Sequence, residues 1–217
     1  MRNSPSTGTD ISQTVKRIMR QPNPLAVIDA VQKAYAEEQK ARDAFWSVTH
    51  EDVKAEFING VGYVHNSPVY GHHAFILEEL MYQVSHWRRQ APGTGRIGFE
   101  KDCIRLERGD FEPDFVYWNQ ETAKKITSKN VFRPVPQLVA EILSKSTKKR
   151  DRVEKFESYA LGGIEEYWII DPVKKTIEQY ENRAGQYLLI ARGSSGILTT
   201  PILPGFELDL DKLFDYK

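Results

Sequence analysis

Apolar residues at helical spacing mark the amino-terminal part of the chain. Asn23 and Pro24 form a helix-start signal, and apolar residues recur every three or four positions after it. These apolar residues are Leu25, Ile28, Val31 and Tyr35. Residues 1–20 are polar and rich in Ser and Thr, a composition typical of a flexible tail. We therefore predict a flexible tail over residues 1–20 and a helical extension over residues 21–46, which packs on the rest of the chain or on a second copy of it.

The remaining residues, 47–217, alternate between strand and helix patterns. Asn59-Gly60 separates two short extended runs and predicts a β-hairpin. One apolar helical face predicts a helix over residues 72–87, formed by His73, Ile76, Leu80, Val84 and Trp87. The later segments predict, in order, two strands (97–118), a loop (119–133), a strand (138–143), a helix (150–163), a strand (165–171) and a hairpin (174–191). This order predicts an α/β (α+β) domain with a mixed central β-sheet flanked by helices, and an extra amino-terminal helix.

Composition adds constraints on partners and location. The 217 residues are 40% apolar, enough for a sizeable core, and 30 basic residues balance 30 acidic ones. A nucleic acid would therefore have to be recognised through a local cluster of charge. Cys103 is the single cysteine, which excludes an intrachain disulfide and a zinc site of paired cysteines. The sequence shows neither a signal peptide nor a membrane span, so we expect a cytoplasmic protein with no membrane partner.

One charged residue lies inside a segment that otherwise predicts a buried strand. The segment is "VPQLVAEILSKST", residues 135–147, and the charged residue is Glu141. A buried carboxylate must be hydrogen-bonded, protonated or bound to a cation, because an isolated buried charge is too costly. The simpler alternative is a glutamate that is half-exposed or salt-bridged, since charged residues are rarely buried without a partner.

Three charged residues lie on successive predicted elements. Pro113-Asp114 begins a strand, Glu141 lies in the next strand, and Lys155 lies in the helix that follows. Two carboxylates on neighbouring strands could bind Mg²⁺, which prefers carboxylate and water oxygens. Such an ion could activate water and stabilise charge that develops on a phosphodiester, and a nearby lysine would add positive charge.

The position of Lys155 on its helix is compatible with such a site. At about 100° per residue, the core-facing arc of the helix consists of Val153, Phe156 and Ala160. A neighbouring stripe at four-residue intervals consists of Asp151, Lys155 and Tyr159. Lys155 is therefore expected at the edge of the buried face. Alternatively, Asp151 and Lys155 form only an i,i+4 pair on the surface.

Several motifs together resemble a known family. The stretches "PDFVYW", "LVAEILSKST", "RDRVEKFESYALGGIEEYWIIDP" and "LPGFELDL" occur in the order and at the spacing of the Uma-two family of restriction-endonuclease-like proteins. The resemblance extends from about residue 45 to the carboxyl terminus. It implies the PD-(D/E)XK nuclease fold for residues 47–217, and the amino-terminal helix lies outside it.

The resemblance also implies roles for individual residues. Asp114 and Glu141 match the metal-binding carboxylates. The lysine of the superfamily normally lies two residues after the glutamate, and this chain has Leu143 there. The resemblance implies that the lysine function has moved to the helix, onto Lys155.

Three further residues are weaker candidates. Glu56 in "AEFING" matches an acidic residue of an early family motif and is a candidate for the catalytic site. His73 matches a histidine at the start of the next helix, and we assign it no role. The main-chain carbonyl of Ile142 is a candidate third metal ligand.

These features predict a metal-dependent endonuclease that hydrolyses DNA phosphodiester bonds. Mg²⁺ is the expected cofactor, and Mn²⁺ could replace it. A catalytically inactive nuclease-fold protein that acts as a DNA-binding or assembly module is the alternative, because fold does not fix function.

The expected partners are DNA and a second copy of the chain. A basic run follows Glu141 and either contacts DNA or is a solvated face; it consists of Lys145, Lys148, Lys149, Arg150 and Arg152. A second and weaker basic cluster consists of Lys124, Lys125, Lys129 and Arg133. A homodimer is expected from the additional helix and from the need to cut two strands.

Overall fold

The computed structural model describes residues 11–50, 52–65, 71–91, 93–129 and 131–216. The chain divides into two compact units, Met1–His50 and Glu51–Lys217. Within the described ranges, no helix is both long enough and apolar enough to cross a membrane.

The amino-terminal unit contains helices α1 (Ile11–Met19) and α2 (Pro24–Val48). Asn23 caps α2 as predicted, since its side-chain oxygen accepts a hydrogen bond from Ala26 N at 3.2 Å. Helix α1 lies in the segment that was expected to be a flexible tail. The structure differs there because apolar residues recur at helical spacing along α1. The rest of the predicted tail, residues 1–10, lies outside the described residues.

The larger unit contains most of the secondary structure. It begins with β1 (Lys54–Ile58), β2 (Val61–His65) and α3 (Gly71–Gln90). Next come β3 (Arg96–Phe99), β4 (Ile104–Leu106), β5 (Gly109–Phe111), β6 (Phe115–Trp118) and α4 (Gln120–Ala123). These are followed by β7 (Leu138–Ile142), α5 (Lys148–Arg152), α6 (Glu154–Leu161) and β8 (Glu166–Asp171). The last elements are β9 (Thr176–Arg183), β10 (Gln186–Gly193), β11 (Ile197–Thr199), β12 (Glu207–Asp209) and α7 (Leu210–Leu213).

Six strands form the central sheet in the order β10-β9-β8-β7-β6-β3. Strands β7 and β8 run parallel, and the other neighbours run antiparallel. The predicted mixed sheet is therefore confirmed. Helices α5 and α6 lie in the crossover between the two parallel strands, where a connection of this length is required. A second sheet has the order β2-β1-β5-β4, and the predicted turn at Asn59-Gly60 joins β1 to β2 with both residues at positive φ.

Apolar side chains cover both faces of the central sheet. One buried cluster joins α3 and the carboxyl-terminal segment to the sheet and includes Ile76, Leu80, Phe115, Leu138, Ala140, Ile142 and Leu210. The other joins the second sheet and α6 to the opposite face and includes Ile58, Phe111, Val116, Trp118, Val139, Tyr159 and Tyr167. Strands covered on both faces are apolar at almost every position. A charged residue in such a strand therefore indicates a specific interaction.

Alternation along β6 and β7 determines where charged residues meet. On β7, Ala140 and Ile142 belong to the cluster on the α3 side, so Glu141 faces the second sheet and α6. On β6, Val116 faces the second sheet, and Asp114, two residues earlier, faces the same way. The antiparallel β6–β7 register, continued by one residue, sets Asp114 opposite Glu141.

The structure subdivides three predicted segments. The two strands predicted over residues 97–118 are divided by turns into four short strands, β3 to β6. Glu100, in the first of these turns, has φ 47°. The predicted loop over 119–133 contains α4. The predicted helix over 150–163 breaks at Val153, where φ is −126° and ψ is −75°. This break shifts the helical phase, so Val153 is 44% exposed and its predicted core-facing position is wrong.

Gly95 provides a test of the packing before β3. Its φ is +79°, and a Cβ atom there would overlap the Trp118 carbonyl oxygen. We expect Gly95→Ala to lower the free energy of unfolding by about 2–4 kcal/mol, since it adds overlap to backbone strain. Gly163→Ala is the matched control, because Gly163 has φ +83° with open space around it, and should cost about 1 kcal/mol. Urea unfolding measures both losses, and equal losses would contradict the overlap.

Candidate functional site

Charged side chains converge beside the carboxyl end of β7. Four of them, Glu56, Asp114, Glu141 and Asp151, are buried acids and are named the carboxylate cluster here. They come from β1, from the residue before β6, from β7 and from α5. Alternation of side chains on the strands and the fold of the α5–α6 crossover bring them to one side of the central sheet.

Glu141 is 2% exposed and has a cation as its partner. Its Oε1 atom accepts hydrogen bonds from Lys155 Nζ at 2.8 Å and from the Tyr159 hydroxyl at 2.7 Å. Burial raises the pKa of Glu141 to about 8. Repulsion from the neighbouring carboxylates acts in the same direction, and the two effects together outweigh the attraction of Lys155. The half-exposed alternative is therefore wrong, and the salt-bridged one describes this residue.

Lys155 lies between three carboxylates. Its Nζ atom is 2.7 Å from Glu56 Oε1, 2.8 Å from Glu141 Oε1 and 3.6 Å from Asp151 Oδ1. Burial alone would lower the pKa of Lys155, but the carboxylates raise it well above its ordinary value. Lys155 is fully buried rather than at the edge predicted from helix geometry, and the alternative of a surface Asp151–Lys155 pair is wrong.

Asp114 is bound by three donors. Lys54 Nζ lies 2.6 Å from Oδ1, and Oδ2 accepts a hydrogen bond from Ile142 N at 2.8 Å. His73 Nε2 lies 3.0 Å from Oδ2. Burial acts to raise the pKa of Asp114, but Lys54 and His73 outweigh it and lower the pKa below its ordinary value. Asp114 is therefore held ionised and in a fixed orientation.

Glu56 and Asp151 complete the cluster. Glu56 Oε1 also accepts a hydrogen bond from Glu112 N at 3.2 Å, and Arg150 Nη1 lies 3.8 Å from Glu56 Oε2. The Arg150 guanidinium lies over the Tyr63 ring, 3.9 Å from its centroid. Burial raises the pKa of Asp151 to about 6, in spite of the attraction of nearby Lys155. Arg150 is thus part of the wall of the site rather than a free surface cation.

The cluster has a surplus of negative charge when all of its acids are ionised. In the described part of the chain, the permanently charged groups in contact with the four carboxylates are those of Lys54, Arg150 and Lys155. His73 adds a charge only when it is protonated. Burial is the main cause of the raised pKa values of Glu141 and Asp151, and repulsion from the neighbouring carboxylates adds to it.

The donor chemistry of the cluster suits a divalent cation. Carboxylate oxygens are the donors that Mg²⁺ and Mn²⁺ prefer, and Glu141 Oε2 accepts no hydrogen bond from the described residues. In the described part of the chain, no three His, Cys, Asp or Glu side chains stand in metal-ligating positions. Ammonium groups lie against Asp114 and Glu141 instead, so ion binding requires one of these contacts to open.

The basic run after Glu141 is largely paired with acids. Lys148 lies 3.2 Å from Asp171, and Arg152 lies 2.7 Å from Glu178. Lys145 and Lys149 are exposed. In the second basic cluster, Arg133 pairs with Asp102 at 2.6 Å, and the lysines at positions 124, 125 and 129 are exposed. The surface charge available to a nucleic acid is therefore smaller than the sequence indicated.

The structure brings together Glu56, Asp114, Glu141 and Lys155, the four residues proposed as catalytic. Ile142, proposed as a ligand through its carbonyl, is adjacent and contacts Asp114 through its N–H. Sequence reasoning missed Lys54, although its position two residues before Glu56 on a strand places both side chains on one face. It also missed the hydrogen bond of Tyr159, whose place in the Asp151–Lys155 stripe was the available signal.

The raised pKa of Glu141 predicts a pH-dependent stability. Between its ordinary value of 4.5 and about 8, folded Glu141 keeps a proton that the unfolded chain has released. Stability therefore falls as pH rises through this window. We expect the free energy of unfolding of wild type relative to Glu141→Gln to fall by on the order of 2–4 kcal/mol between the two ends. Urea unfolding at a series of pH values measures it, and a constant difference would show that this pKa is ordinary.

Lys155→Met tests the coupling inside the cluster. The substitution leaves Glu56 and Glu141 buried without their shared cation, and we expect a loss of about 3–5 kcal/mol of stability. Adding Glu141→Gln should restore part of that loss, because it removes one of the unpaired charges. A double-mutant cycle by chemical unfolding gives the interaction energy. Strictly additive losses would mean that the two residues do not interact.

Comparison with known proteins identifies the family and the fold of the chain. A profile of the Uma2 family, described as "Putative restriction endonuclease", matches residues 41–211. A crystal structure of "a putative nuclease belonging to DUF820" from Anabaena variabilis ATCC 29413 has 18% identity and a TM-score of 0.66, over 79% of this chain and 96% of that chain. At this identity the likeness shows a shared fold. No curated protein matches the chain. The predicted restriction-endonuclease-like fold and the resemblance are confirmed, and the chain belongs to the Uma2 family.

Proposed function

We propose that the chain is a metal-dependent endonuclease that hydrolyses DNA phosphodiester bonds at the carboxylate cluster. The observation that carries the proposal is the meeting of Asp114 and Glu141 on adjacent strands, with the Lys155 ammonium 2.8 Å from Glu141. The description of the family as restriction endonucleases and of the structural neighbour as a nuclease supports the same reaction class.

Asp114 and Glu141 would hold Mg²⁺ or Mn²⁺, with the Ile142 carbonyl as a third ligand. When bound, the ion supplies a water of lowered pKa and positive charge beside the phosphate. The hydrogen bonds from Ile142 N and His73 keep the Asp114 carboxylate oriented whether or not the ion is bound. His73 thus acts as a positioning residue, a role that the sequence did not assign.

Lys155 supplies a positive charge and a donor inside the site. An ammonium group has three N–H donors, and two of them point to Glu56 and Glu141. Asp151 Oδ1 lies 3.6 Å from Nζ, too far for a hydrogen bond, so the third donor remains to orient the attacking water. As the water oxygen bonds to phosphorus and the bond to the leaving sugar oxygen breaks, the ammonium also stabilises the charge on the phosphate. Glu56 contributes by holding Lys155 in place.

DNA would approach the exposed lysines next to the site, Lys145 and Lys149. Cutting both strands requires two sites, so we propose that the chain acts as a homodimer. A cytoplasmic location, expected from the sequence, stays a prediction.

Cleavage of supercoiled plasmid in Mg²⁺ or Mn²⁺ tests the proposed activity. We expect Asp114→Asn and Glu141→Gln to lower the rate at least about 100-fold, since each removes a ligand of the ion. Glu166→Gln is the matched control. Glu166 is a buried glutamate on the adjacent strand, outside the cluster, with Trp168, Gln179 and Thr200 as hydrogen-bond donors. A folded Glu166→Gln protein should cleave like wild type.

The outcomes separate the two functions inferred from the sequence. Cleavage that needs the ion and is lost in both cluster variants supports the endonuclease. Cleavage that persists in Glu141→Gln would show that it does not occur at this site. Salt-sensitive DNA binding by wild type, without cleavage in either ion, would favour the inactive DNA-binding or assembly module.

A further inference from the structure

The two lysines of the carboxylate cluster have different surroundings. The side chain of Lys155 is 2% exposed and contacts three carboxylates. The side chain of Lys54 is 24% exposed, and among the described residues its ion pair is with Asp114 Oδ1 at 2.6 Å. Lys155 therefore cannot leave without exposing several buried charges, whereas Lys54 gives up one ion pair at the border of the site, together with a weaker attraction to Glu141 and Glu56.

Lys54 holds the position that a cation on Asp114 would need. Asp114 Oδ2 accepts hydrogen bonds from Ile142 N and lies beside His73, so Oδ1 is the oxygen that faces a cation. An ammonium group and a divalent ion are both cations that bind carboxylate oxygens at short range. They cannot occupy the same side of one oxygen together.

We propose that Lys54 fills the cation position on Asp114 in the ion-free protein and gives it up when a divalent ion binds. Lys54 is thus a positioning residue that competes with the ion. This inference rests on the proposed function, because it takes the ion to bind at Asp114 and Glu141.

Charge balance favours such an exchange. When all four carboxylates are ionised and Lys54 is in place, they outnumber by one the permanent positive charges of Lys54, Arg150 and Lys155. With a divalent ion in place of Lys54, the ion, Arg150 and Lys155 together carry four positive charges, which equal the four negative ones. The exchange also leaves no buried carboxylate without a cation, a state that would be strongly unfavourable.

The local structure allows Lys54 to move alone. A lysine side chain is a flexible four-carbon stem with a strongly hydrated head, and this one already borders solvent. When it turns outward, Asp114 keeps the hydrogen bonds from Ile142 N and His73. Strand β1 keeps its backbone pairing with β2 and β5. No repacking of the apolar clusters is needed.

Calorimetric titration of Mn²⁺ into the DNA-free protein tests the exchange. We expect Lys54→Met to bind Mn²⁺ about tenfold more tightly than wild type or better, because the ion no longer has to displace an internal cation. Lys54→Arg, which keeps the charge, should bind nearly as wild type. Lys101→Met is the matched control, since Lys101 pairs with Glu112, another buried acid near β1, at 3.2 Å. It removes a lysine charge without freeing Asp114, and its affinity should stay near that of wild type.

The results distinguish this inference from the proposed function. If wild type binds Mn²⁺ and Lys54→Met binds it equally or more weakly, the exchange is overturned and the ion site stands. If Lys101→Met gains as much affinity for Mn²⁺ as Lys54→Met, the gain comes from the loss of any nearby positive charge. The exchange is then also overturned. If no variant binds Mn²⁺, both the exchange and the ion requirement fail. Should Lys54→Met not fold, Lys54→Gln removes the charge and keeps a donor for Asp114.

Discussion

The larger unit depends on one buried ammonium group. Lys155 joins Glu56 of the second sheet, Glu141 of the central sheet and Asp151 of α5, so that one charge connects three layers. Carboxylates at this depth need a partner, because an unpaired charge inside an apolar cluster is very unfavourable. The relative position of the layers is therefore determined by an ionic contact as well as by the packing of apolar side chains.

Two buried glutamates on neighbouring strands show what distinguishes a site from a structural network. Glu166 accepts hydrogen bonds from Trp168, Gln179 and Thr200, which are all neutral donors. Glu141 instead lies among other carboxylates and shares a lysine with them. A network of neutral donors satisfies one acid and is complete. A group of acids with too few cations is stable only if it binds protons or ions, and this property suits it to chemistry.

Much of the site could be predicted from residues that are close in sequence. A charged residue inside an otherwise apolar strand identified Glu141. The places of Asp114 and Lys155 on neighbouring elements, together with the resemblance, identified those two residues. Helical spacing described the Asp151–Lys155–Tyr159 stripe but not its depth, because the break at Val153 changes the direction of the helix. The spacing of Lys54 and Glu56 places them on one face of β1, but the pairing of Lys54 with Asp114 could not be predicted, for a physical reason. Its contact with Asp114 forms when the second sheet packs on the central one, and no local pattern reports how two sheets pack.

The parallel pair β7–β8, with α5 and α6 between its strands, also bears on how the protein folds. Glu141, Asp151, Lys155 and Tyr159 all lie within this one continuous segment, Leu138 to Asp171. Contacts between residues near in sequence form early, and those across long loops form late. We expect the part of the site that lies in this segment to form first and to stay partly hydrated. The contacts with Glu56 and Lys54 would form later, when β1 packs against the segment. Final exclusion of water from the core and completion of the site would then be one kinetic step.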